Sequence, residues 1–423
     1  MKTLKYIREN LEEVKFSLLN KKSEVDIDKL ISLDVDRRKY IHEVEELRSN
    51  RNLVSENISL IKKKGESAFK EIEAMQKVSG KIKELENKLK DIELEIETQI
   101  YFIPNIVHSS VPRGLDASGN ISVKSWGEKT KKDFEIKEHI ELGSILGLFD
   151  FKRAVKMAGS SFPLYTGLGA KLERSLLNFM LDQHVENNYL EISPPFLANY
   201  NSMRNTGQIP KFKDDMYFIP EDNLFCIPTA EVPLTNYHQN EILIESNLPY
   251  CYTAYTPCFR REAGSYGQET KGLSRIHQFN KVELVRFVHP ENSYTELEIL
   301  LNNAESILQA LGLHYRIIEL CSGDLSFSAA KCYDIEVWSP YNKKYLEVSS
   351  CSNFEDFQSR RANIRFNCNN TGKNRLVHTL NGSGVATPRL MIALLEHYQE
   401  EDGTINLPTI LHPYFGHKSI KPS

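Results

Sequence analysis

The first 103 residues contain no proline and only two glycines, so long helices can run through them without interruption. Apolar residues recur there every seven positions, at Leu33, Tyr40, Leu47, Val54 and Ile61, with companions at Leu30, Val44 and Ile58. After the segment KKKGES the register resumes at Met75, Val78, Ile82, Leu85, Leu89, Ile92 and Ile96. Two heptad helices joined by a short glycine-containing turn predict an antiparallel coiled-coil hairpin. Arms of about 30 residues would be roughly 45 Å long.

One shorter helix is predicted ahead of the hairpin, from apolar residues spaced three and four apart at Leu4, Ile7, Leu11, Val14 and Leu18. The hairpin alone leaves its role open. A dimerisation or spacer coil explains it as well as a phosphate-binding arm does, because the lysines at 62–64 and the pair Arg37 and Arg38 are short charge runs.

From residue 104 onward the sequence is rich in aromatic residues, proline and glycine, which predicts a second domain over 104–423 after a helical domain over 1–103. Short β-rich runs lie close together, among them YLEISPPFL, LPYCYTAYTPCF, KVELVRFVH and KCYDIEVWSP. Because no regular helix separates most of these runs, we expect an antiparallel sheet and the α+β class.

Composition excludes several classes of protein. A net charge of −4 over 423 residues argues against a uniformly basic nucleic-acid binder. Seven cysteines without a C-x-x-C pair favour reduced thiols in a cytoplasm, and they predict no zinc site. Neither a long apolar run nor a signal-like N-terminus is present, so no membrane association is expected.

The stretch CFRREAGSYGQETKGLSRIHQFNKVELV, residues 258–285, is typical of a nucleotide site. Arginines neutralise phosphate, glycines allow close approach of the backbone, and an aromatic ring can stack on a base. Neither a P-loop nor a Rossmann glycine pattern occurs, so ATP would bind in another way.

Several stretches together resemble the seryl-tRNA synthetases, which are class II aminoacyl-tRNA synthetases. The helix and strand at 170–195 resemble motif 1, residues 258–285 motif 2, and LNGSGVATPRLMIALLEHYQ at 380–399 motif 3. Between them, in the family's order, lie TGQIPKF, PTAEVPLTN, CSGDLSFSAAKCYDIEVW and YLEVSSCSNFEDFQSRRANIRF.

The resemblance implies an antiparallel sheet flanked by helices and a homodimer formed through motif 1. It also implies that serine and ATP give seryl-adenylate and pyrophosphate, and that serine then passes to serine tRNA, with selenocysteine tRNA as a further acceptor. The hairpin would contact the long variable arm of the tRNA, across the dimer, without reading the anticodon.

By the same resemblance, Arg260 bridges the serine carboxylate and the α-phosphate, and Arg389 holds the γ-phosphate. Glu347 and Ser350 would bind Mg²⁺ between the phosphates. The implied ATP-binding set is Arg260, Arg261, Glu262, Ile276, Phe279, Glu347, Val348, Ser349, Ser350 and Arg389, with Phe279 stacking on adenine. The implied serine-binding set is Thr229, Ala230, Glu231, Glu283, Asn381 and Ser383.

Three alternatives remain at this stage. A relative that ligates an amino acid to a carrier other than tRNA would lack the hairpin, a non-catalytic paralogue would lack Arg260, Glu347 or Arg389, and a synthetase for another amino acid would need a different pocket. The chain also departs from the family at Pro388, which precedes the motif 3 arginine, and at Ser326 and Ser328.

Overall fold

The structure is a computed structural model that describes residues 3–262 and 271–422. It forms two compact units, Met1–Pro104 and Asn105–Ser423, which are described separately below. No helix of the described residues is long and apolar enough to cross a membrane.

The first unit is helical, with α1 at Leu4–Glu9, α2 at Leu11–Asn20, α3 at Ile27–Lys63 and α4 at Phe69–Ile100. Ion pairs between α3 and α4 show that the two long helices are antiparallel, because residue numbers rise along one as they fall along the other. The pairs are Lys29 with Glu95, Arg37 with Glu93, and Arg48 with Glu86. The predicted coiled-coil hairpin is confirmed.

The prediction of a single first helix is wrong, because the helix breaks at Asn10. This residue leaves the helical region, with φ of −131° and ψ of 42°, and ends α1. Its side-chain amide donates to the carbonyl of Tyr6 at 3.0 Å, and its backbone N–H donates to the same carbonyl at 2.9 Å. Asparagine competes with the helical ladder through such local bonds, which the apolar spacing does not reveal.

The turn after α3 has the pattern of a Schellman motif. Gly65 adopts φ of 77°, its N–H donates to the carbonyl of Lys62, and the N–H of Glu66 donates to that of Ile61. The glycine of KKKGES therefore ends the helix in a conformation that other residues adopt only at a cost.

The second unit contains the strands of a large sheet and of three small ones. These strands are β1 Ile121–Trp126, β2 Leu190–Glu191, β3 Leu197–Asn199, β4 Phe218–Ile219, β5 Leu224–Cys226, β6 Ile242–Ile244, β7 Tyr250–Phe259, β8 Gln278–Val288, β9 Tyr315–Glu319, β10 Lys331–Ser339, β11 Lys344–Asn353, β12 Arg365–Asn367, β13 Asn374–Leu376, β14 His378–Ala386, β15 Ile405–Asn406 and β16 Ser419–Ile420. Within the described residues the large sheet has the order β1-β9-β10-β11-β14-β8-β7-β2. It is antiparallel except where β2 pairs with β7 at its edge.

Helices of this unit flank the sheet, and their bounds are α5 His139–Ile145, α6 Phe151–Ala158, α7 Gly167–Glu186, α8 Tyr200–Asn205, α9 Glu231–Asn236, α10 Ser293–Ala310, α11 Phe357–Ala362, α12 Thr387–Tyr398 and α13 His412–Phe415. The main core packs α7, α10 and α12 against one face of the sheet. A smaller cluster around α9 and β12 contains residues of the other face. The α+β prediction is confirmed.

Candidate active site

A cavity of about 270 Å³ opens where β8, β11 and β14 meet the first turn of α12. It is lined by Arg260, Glu262, Leu273, Ser274, Arg275, Ile276, Phe279, Lys281, Glu347, Val348, Ser383, Ala386, Pro388 and Arg389. Its three arginines and one lysine supply the positive charge that a polyanionic ligand requires.

Side chains along β8 alternate between the two faces of the sheet, so this strand contributes to both the core and the cavity wall. Val282, Leu284 and Val288 lie in the main core with the helices. Phe279 and Lys281 lie on the opposite face, in the cavity wall, and Glu283 continues that face. An apolar strand therefore buries one face in the core and presents the other to the site.

Arg260 follows β7 and lies beside Phe279. Its guanidinium carbon is 5.2 Å from the centre of the Phe279 ring, and its Nε donates to the carbonyl of Pro228 at 3.4 Å. The backbone N–H of Arg260 donates to the carbonyl of His277 at 2.9 Å, which joins the two strand ends. An aromatic face and an arginine are thus held together at one edge of the cavity.

Arg389 lies in the first turn of α12 and lines the same cavity. Its guanidinium donates to the carbonyl of Glu347 at 2.8 Å and to the carbonyl of Ser274 at 3.4 Å. Pro388 falls in the same turn, where its missing N–H has no intrahelical partner to lose. This departure from the family pattern is therefore compatible with the helix.

A β-bulge in β11 explains how Glu347 and Ser350 share one face of the sheet. Residues three apart in a regular strand point to opposite faces. The pairing with β10 shifts at Val348, since Glu347 lies opposite Glu336 and Ser349 lies opposite Ile335. One extra residue restores a common face.

Asp334 of β10 joins these two groups, because it pairs directly with Ser350 across the strands. Burial, followed by the negative charge of Glu347, raises the pKa of Asp334 to about 8. Two carboxyl groups and a hydroxyl on one face form an oxygen-rich set of the kind that Mg²⁺ prefers. The donors present therefore fit a magnesium ion.

A second, buried polar group lies beside this cavity and centres on Glu283. Thr229 donates to Oε2 of Glu283 at 2.8 Å, Asn381 donates to Oε1 at 3.1 Å, and the ammonium of Lys281 pairs with the same carboxylate. The amide of Asn381 also donates to Glu231 at 3.0 Å, so one side chain bridges two carboxyl groups. Both carboxyl groups lie at least nine-tenths out of solvent.

Glu231 is held from its other side by Gln358, whose amide donates to Oε1 at 2.5 Å. Burial, followed by the charge of Glu283, raises the pKa of Glu231 to about 7, against the hydrogen bond from Gln358. The pocket therefore disfavours the charge on Glu231, and a small cation bound beside this carboxyl group would stabilise that charge.

The structure brings most of the residues implied by the resemblance to these two places. Arg260, Glu262, Ile276, Phe279, Glu347, Val348, Ser383 and Arg389 line the cavity, and Thr229, Glu231, Glu283 and Asn381 form the buried group. Ala230 is fully buried next to them, at the N-terminus of α9. Residues 263–270 of the motif 2 stretch lie outside the described residues.

Three residues of the implied ATP set do not line the cavity. Ser350 lies on β11 opposite Asp334, and the other two lie elsewhere. Arg261 turns toward the segment before β4, where its guanidinium stacks on Tyr217 at 4.9 Å and donates to the carbonyl of Met216 at 3.0 Å. Ser349 is buried and donates to the carbonyl of Ser383 at 2.6 Å, which joins β11 to β14.

Sequence reasoning missed three residues that contact these groups, namely Lys281, Asp334 and Gln358. Lys281 lies two residues before Glu283, so strand alternation offers a signal for it. The other two reach the site from β10 and α11, and only the pairing of distant segments reveals them.

Comparison with known proteins gives concordant results for both units. Residues 1–107 match the family model of the seryl-tRNA synthetase N-terminal domain, and residues 212–398 match that of the tRNA synthetase class II core domain (G, H, P, S and T). The serine–tRNA ligase of Geobacter sulfurreducens is 53% identical over 97% of this chain and 98% of its own length. That of Chlorobaculum parvum is 52% identical over the whole of both chains.

Solved structures agree with these matches. Seryl-tRNA synthetase from Pyrococcus horikoshii, crystallised with ATP, is 37% identical and superposes with a TM-score of 0.95 over 100% of both chains. The cytoplasmic enzyme from Naegleria fowleri, in complex with AMP, is 28% identical with a TM-score of 0.87, over 99% of this chain and 97% of that one. The chain therefore belongs to the seryl-tRNA synthetase family.

Proposed function

We propose that this chain activates L-serine with ATP and transfers the serine to serine tRNA. The observation that carries the proposal is the junction of an arginine-lined cavity with a buried acidic pocket, through Lys281 and Ser383. Full-length identity of about half to curated serine–tRNA ligases supports it.

In the first step the serine carboxylate attacks the α-phosphorus of ATP, and pyrophosphate leaves. Two anions must approach each other, so the reaction needs fixed positive charge between them. Arg260 is suited to this role because it lies beside the Phe279 ring and donates to the carbonyl of Pro228. Pro228 directly precedes Thr229 of the buried polar group. Proximity and charge neutralisation then supply the rate without a general base.

The adenine would stack on Phe279, with Glu262 and the backbone near Ile276 at its edge, since all three residues line the same cavity. Arg389, which lines the same cavity, would hold the γ-phosphate. Glu347 and Ser350, together with Asp334, are the residues that would hold Mg²⁺, which neutralises phosphate charge when bound.

Serine would enter the buried pocket with its ammonium toward Thr229 and Glu231 and its hydroxyl toward Glu283 and Ser383. Ser383 lies directly opposite Glu283 in the pairing of β14 with β8. A site built to hydrogen-bond a hydroxyl rejects an analogue that lacks it, because its buried polar groups would be left unpaired.

In the second step the terminal adenosine of the tRNA attacks the carbonyl of seryl-adenylate and releases AMP. We propose that residues 1–103 form the arm that binds the long variable arm of serine tRNA and that residues 104–423 carry the catalysis. A homodimer that acts in the cytoplasm belongs to the same proposal, and selenocysteine tRNA is a second candidate acceptor.

The two steps can be tested separately. The purified chain, with serine, ATP and Mg²⁺, is expected to form seryl-adenylate without tRNA and to charge a serine tRNA transcript when that is added. Charging of a carrier protein instead of the transcript would favour the carrier-ligating alternative, and the absence of adenylate would favour the non-catalytic one. A selenocysteine tRNA transcript in the same assay tests the second acceptor.

A further inference from the structure

Glu173 is a buried carboxyl group on α7 for which the proposed chemistry has no use. It is 7% exposed and lies in the second turn of this helix. Its Oε1 accepts a hydrogen bond from the side-chain amide of Asn280 at 2.9 Å and faces the hydroxyl of Thr387 at 3.0 Å. That hydroxyl also lies 3.0 Å from the carbonyl of Asn280, so these three residues form one cluster.

Asn280 belongs to β8 and separates two residues of the cavity wall. Phe279 and Lys281 line the cavity, and strand alternation turns Asn280 to the opposite face, toward α7. A side chain that holds Asn280 from behind therefore fixes the position of the adenine-stacking ring in front.

Thr387 is the first residue of α12 and stands two positions before Arg389. Within this turn Arg389 also donates to the carbonyls of Glu347 and Ser274, but the helix start lacks a side-chain cap. Its N-cap residue, Ala386, makes no side-chain capping bond, and Val385 before it has φ of 92°, a strained conformation for a β-branched residue. The contacts of Thr387 with Glu173 and with β8 thus tie the turn that carries Arg389 to α7 and to the sheet. The contact between Thr387 and Glu173 is called the tie below.

Burying a carboxyl group at this position costs free energy. Burial raises the pKa of Glu173 against the hydrogen bonds from Asn280 and Thr387, which shows that the site disfavours the charged form. An apolar side chain of similar volume would be cheaper to bury. Only a polar group can hold two separate elements by directed bonds.

We infer that Glu173 is a positioning residue for the activation step, which holds β8 and the first turn of α12 at a fixed separation. This inference rests on the proposed function, because the two elements carry the groups that would grip the adenine and the γ-phosphate. A displacement of about 1 Å in such groups is enough to cost about 100-fold in rate.

The test compares three variants of the full chain. Glu173→Ala removes the tie, Glu173→Gln keeps an oxygen that can accept both bonds, and Ser175→Ala removes a buried hydrogen bond on the same helix. Ser175 is 2% exposed and bonds only to the carbonyls of Lys171 and Tyr414 among the described residues, so it serves as the matched control.

We expect Glu173→Ala to lower kcat/KM for ATP in pyrophosphate exchange by about 100-fold and to weaken ATP binding measured by titration calorimetry. Its KM for serine should change less than about threefold, and both Glu173→Gln and Ser175→Ala should stay within about threefold of the wild type. If Glu173→Ala does not fold, Thr387→Val breaks the same tie from the other end and should show the same loss toward ATP.

Unchanged ATP binding and exchange in Glu173→Ala would overturn the inference, as would an equal loss in Ser175→Ala. Failure of the proposed function has a different signature, since the wild type would then show no serine-dependent exchange. The calorimetric comparison would still decide whether Glu173 positions the ATP-binding groups.

Discussion

Glu231 and Glu283 are two buried carboxyl groups bridged by one amide, and the ionisation of Glu231 should therefore control both stability and serine binding. The informative change is Glu231→Gln, which removes the charge at nearly constant volume. In the wild type, burial and the charge of Glu283 raise the pKa of Glu231 to about 7 in the folded state, from 4.5.

The sign of the effect on stability follows from this direction. A carboxyl group whose pKa is raised on folding stabilises the native state most below its unfolded pKa, and that contribution is lost as the pH rises through the folded pKa. Between pH 5 and pH 8 the loss amounts to roughly 2 to 3 kcal/mol, because each unit of pKa shift corresponds to about 1.4 kcal/mol. The glutamine variant does not suffer this loss.

Urea unfolding of the wild type and of Glu231→Gln, followed from pH 5 to pH 8, measures this pH-dependent loss of stability. Hydrogen bonds that glutamine makes differently to Gln358 or Asn381 add an offset that does not depend on pH. The free energy of unfolding of the variant should therefore rise relative to the wild type by roughly 2 to 3 kcal/mol across the range. A difference that stays constant with pH would refute the reasoning.

Serine binding should respond in the opposite sense, because the ammonium of serine needs the ionised carboxylate. At saturating ATP, kcat/KM for serine is expected to fall about tenfold for each pH unit below about 7, since this ratio reports the pKa of the enzyme before serine binds. Glu231→Gln should be much less active and should lack this limb of the profile. A wild-type profile that is flat down to pH 5.5 would exclude Glu231 as the ammonium-binding group.

Other predictions follow from the same site and from the hairpin. Arg260→Ala should reduce serine-dependent pyrophosphate exchange by about 1000-fold, because the carboxylate and the α-phosphate lose their shared counter-charge, and near-normal exchange would remove Arg260 from the mechanism. Glu283→Ala should lower the ratio of kcat/KM for serine over alanine by at least about tenfold, and an unchanged ratio would mean that the hydroxyl is recognised elsewhere. Replacing residues 30–98 by a short linker should leave exchange within a few-fold of the wild type and reduce tRNA charging by about 100-fold or more, whereas equal loss of both would make the hairpin a folding element.

Much of the fold can be predicted because its signals are local. The heptads at Leu33, Tyr40 and Leu47 repeat at the coiled-coil period, and that period defines the seam of the hairpin without help from the rest of the chain. Asn10 shows the limit of this approach, since a polar side chain that bonds its own backbone ends a helix whose apolar spacing continues.

The functional site is likewise only partly predictable from local sequence. Stretches such as TAE and KVELV carry Thr229 and Glu283, and the resemblance of their sequences to the family indicates their use. The bond between these two side chains nevertheless joins positions 54 residues apart, and the contact of Glu173 with Thr387 spans 214. Because the pairing of strands creates such contacts, no local pattern in the sequence predicts them.

Strand irregularities escape prediction for a related reason. The bulge at Val348 decides that Glu347 and Ser350 share a face, and simple alternation would separate them. Arg261 illustrates the reverse case, since it lies next to Arg260 in sequence but points to Tyr217. Two consecutive residues at the end of a strand point into different surroundings, so a motif match alone cannot assign both of them to one ligand.

ATP–pyrophosphate exchange by the wild type, measured with each of the twenty amino acids in turn, tests the central claim most directly. Serine should support rapid exchange without tRNA, and alanine should be poorer by about 10⁴-fold in kcat/KM because it leaves the buried pocket around Glu283 unpaired. Exchange that is faster with another amino acid, or absent with all twenty, would contradict the assignment of this chain as an enzyme that activates serine.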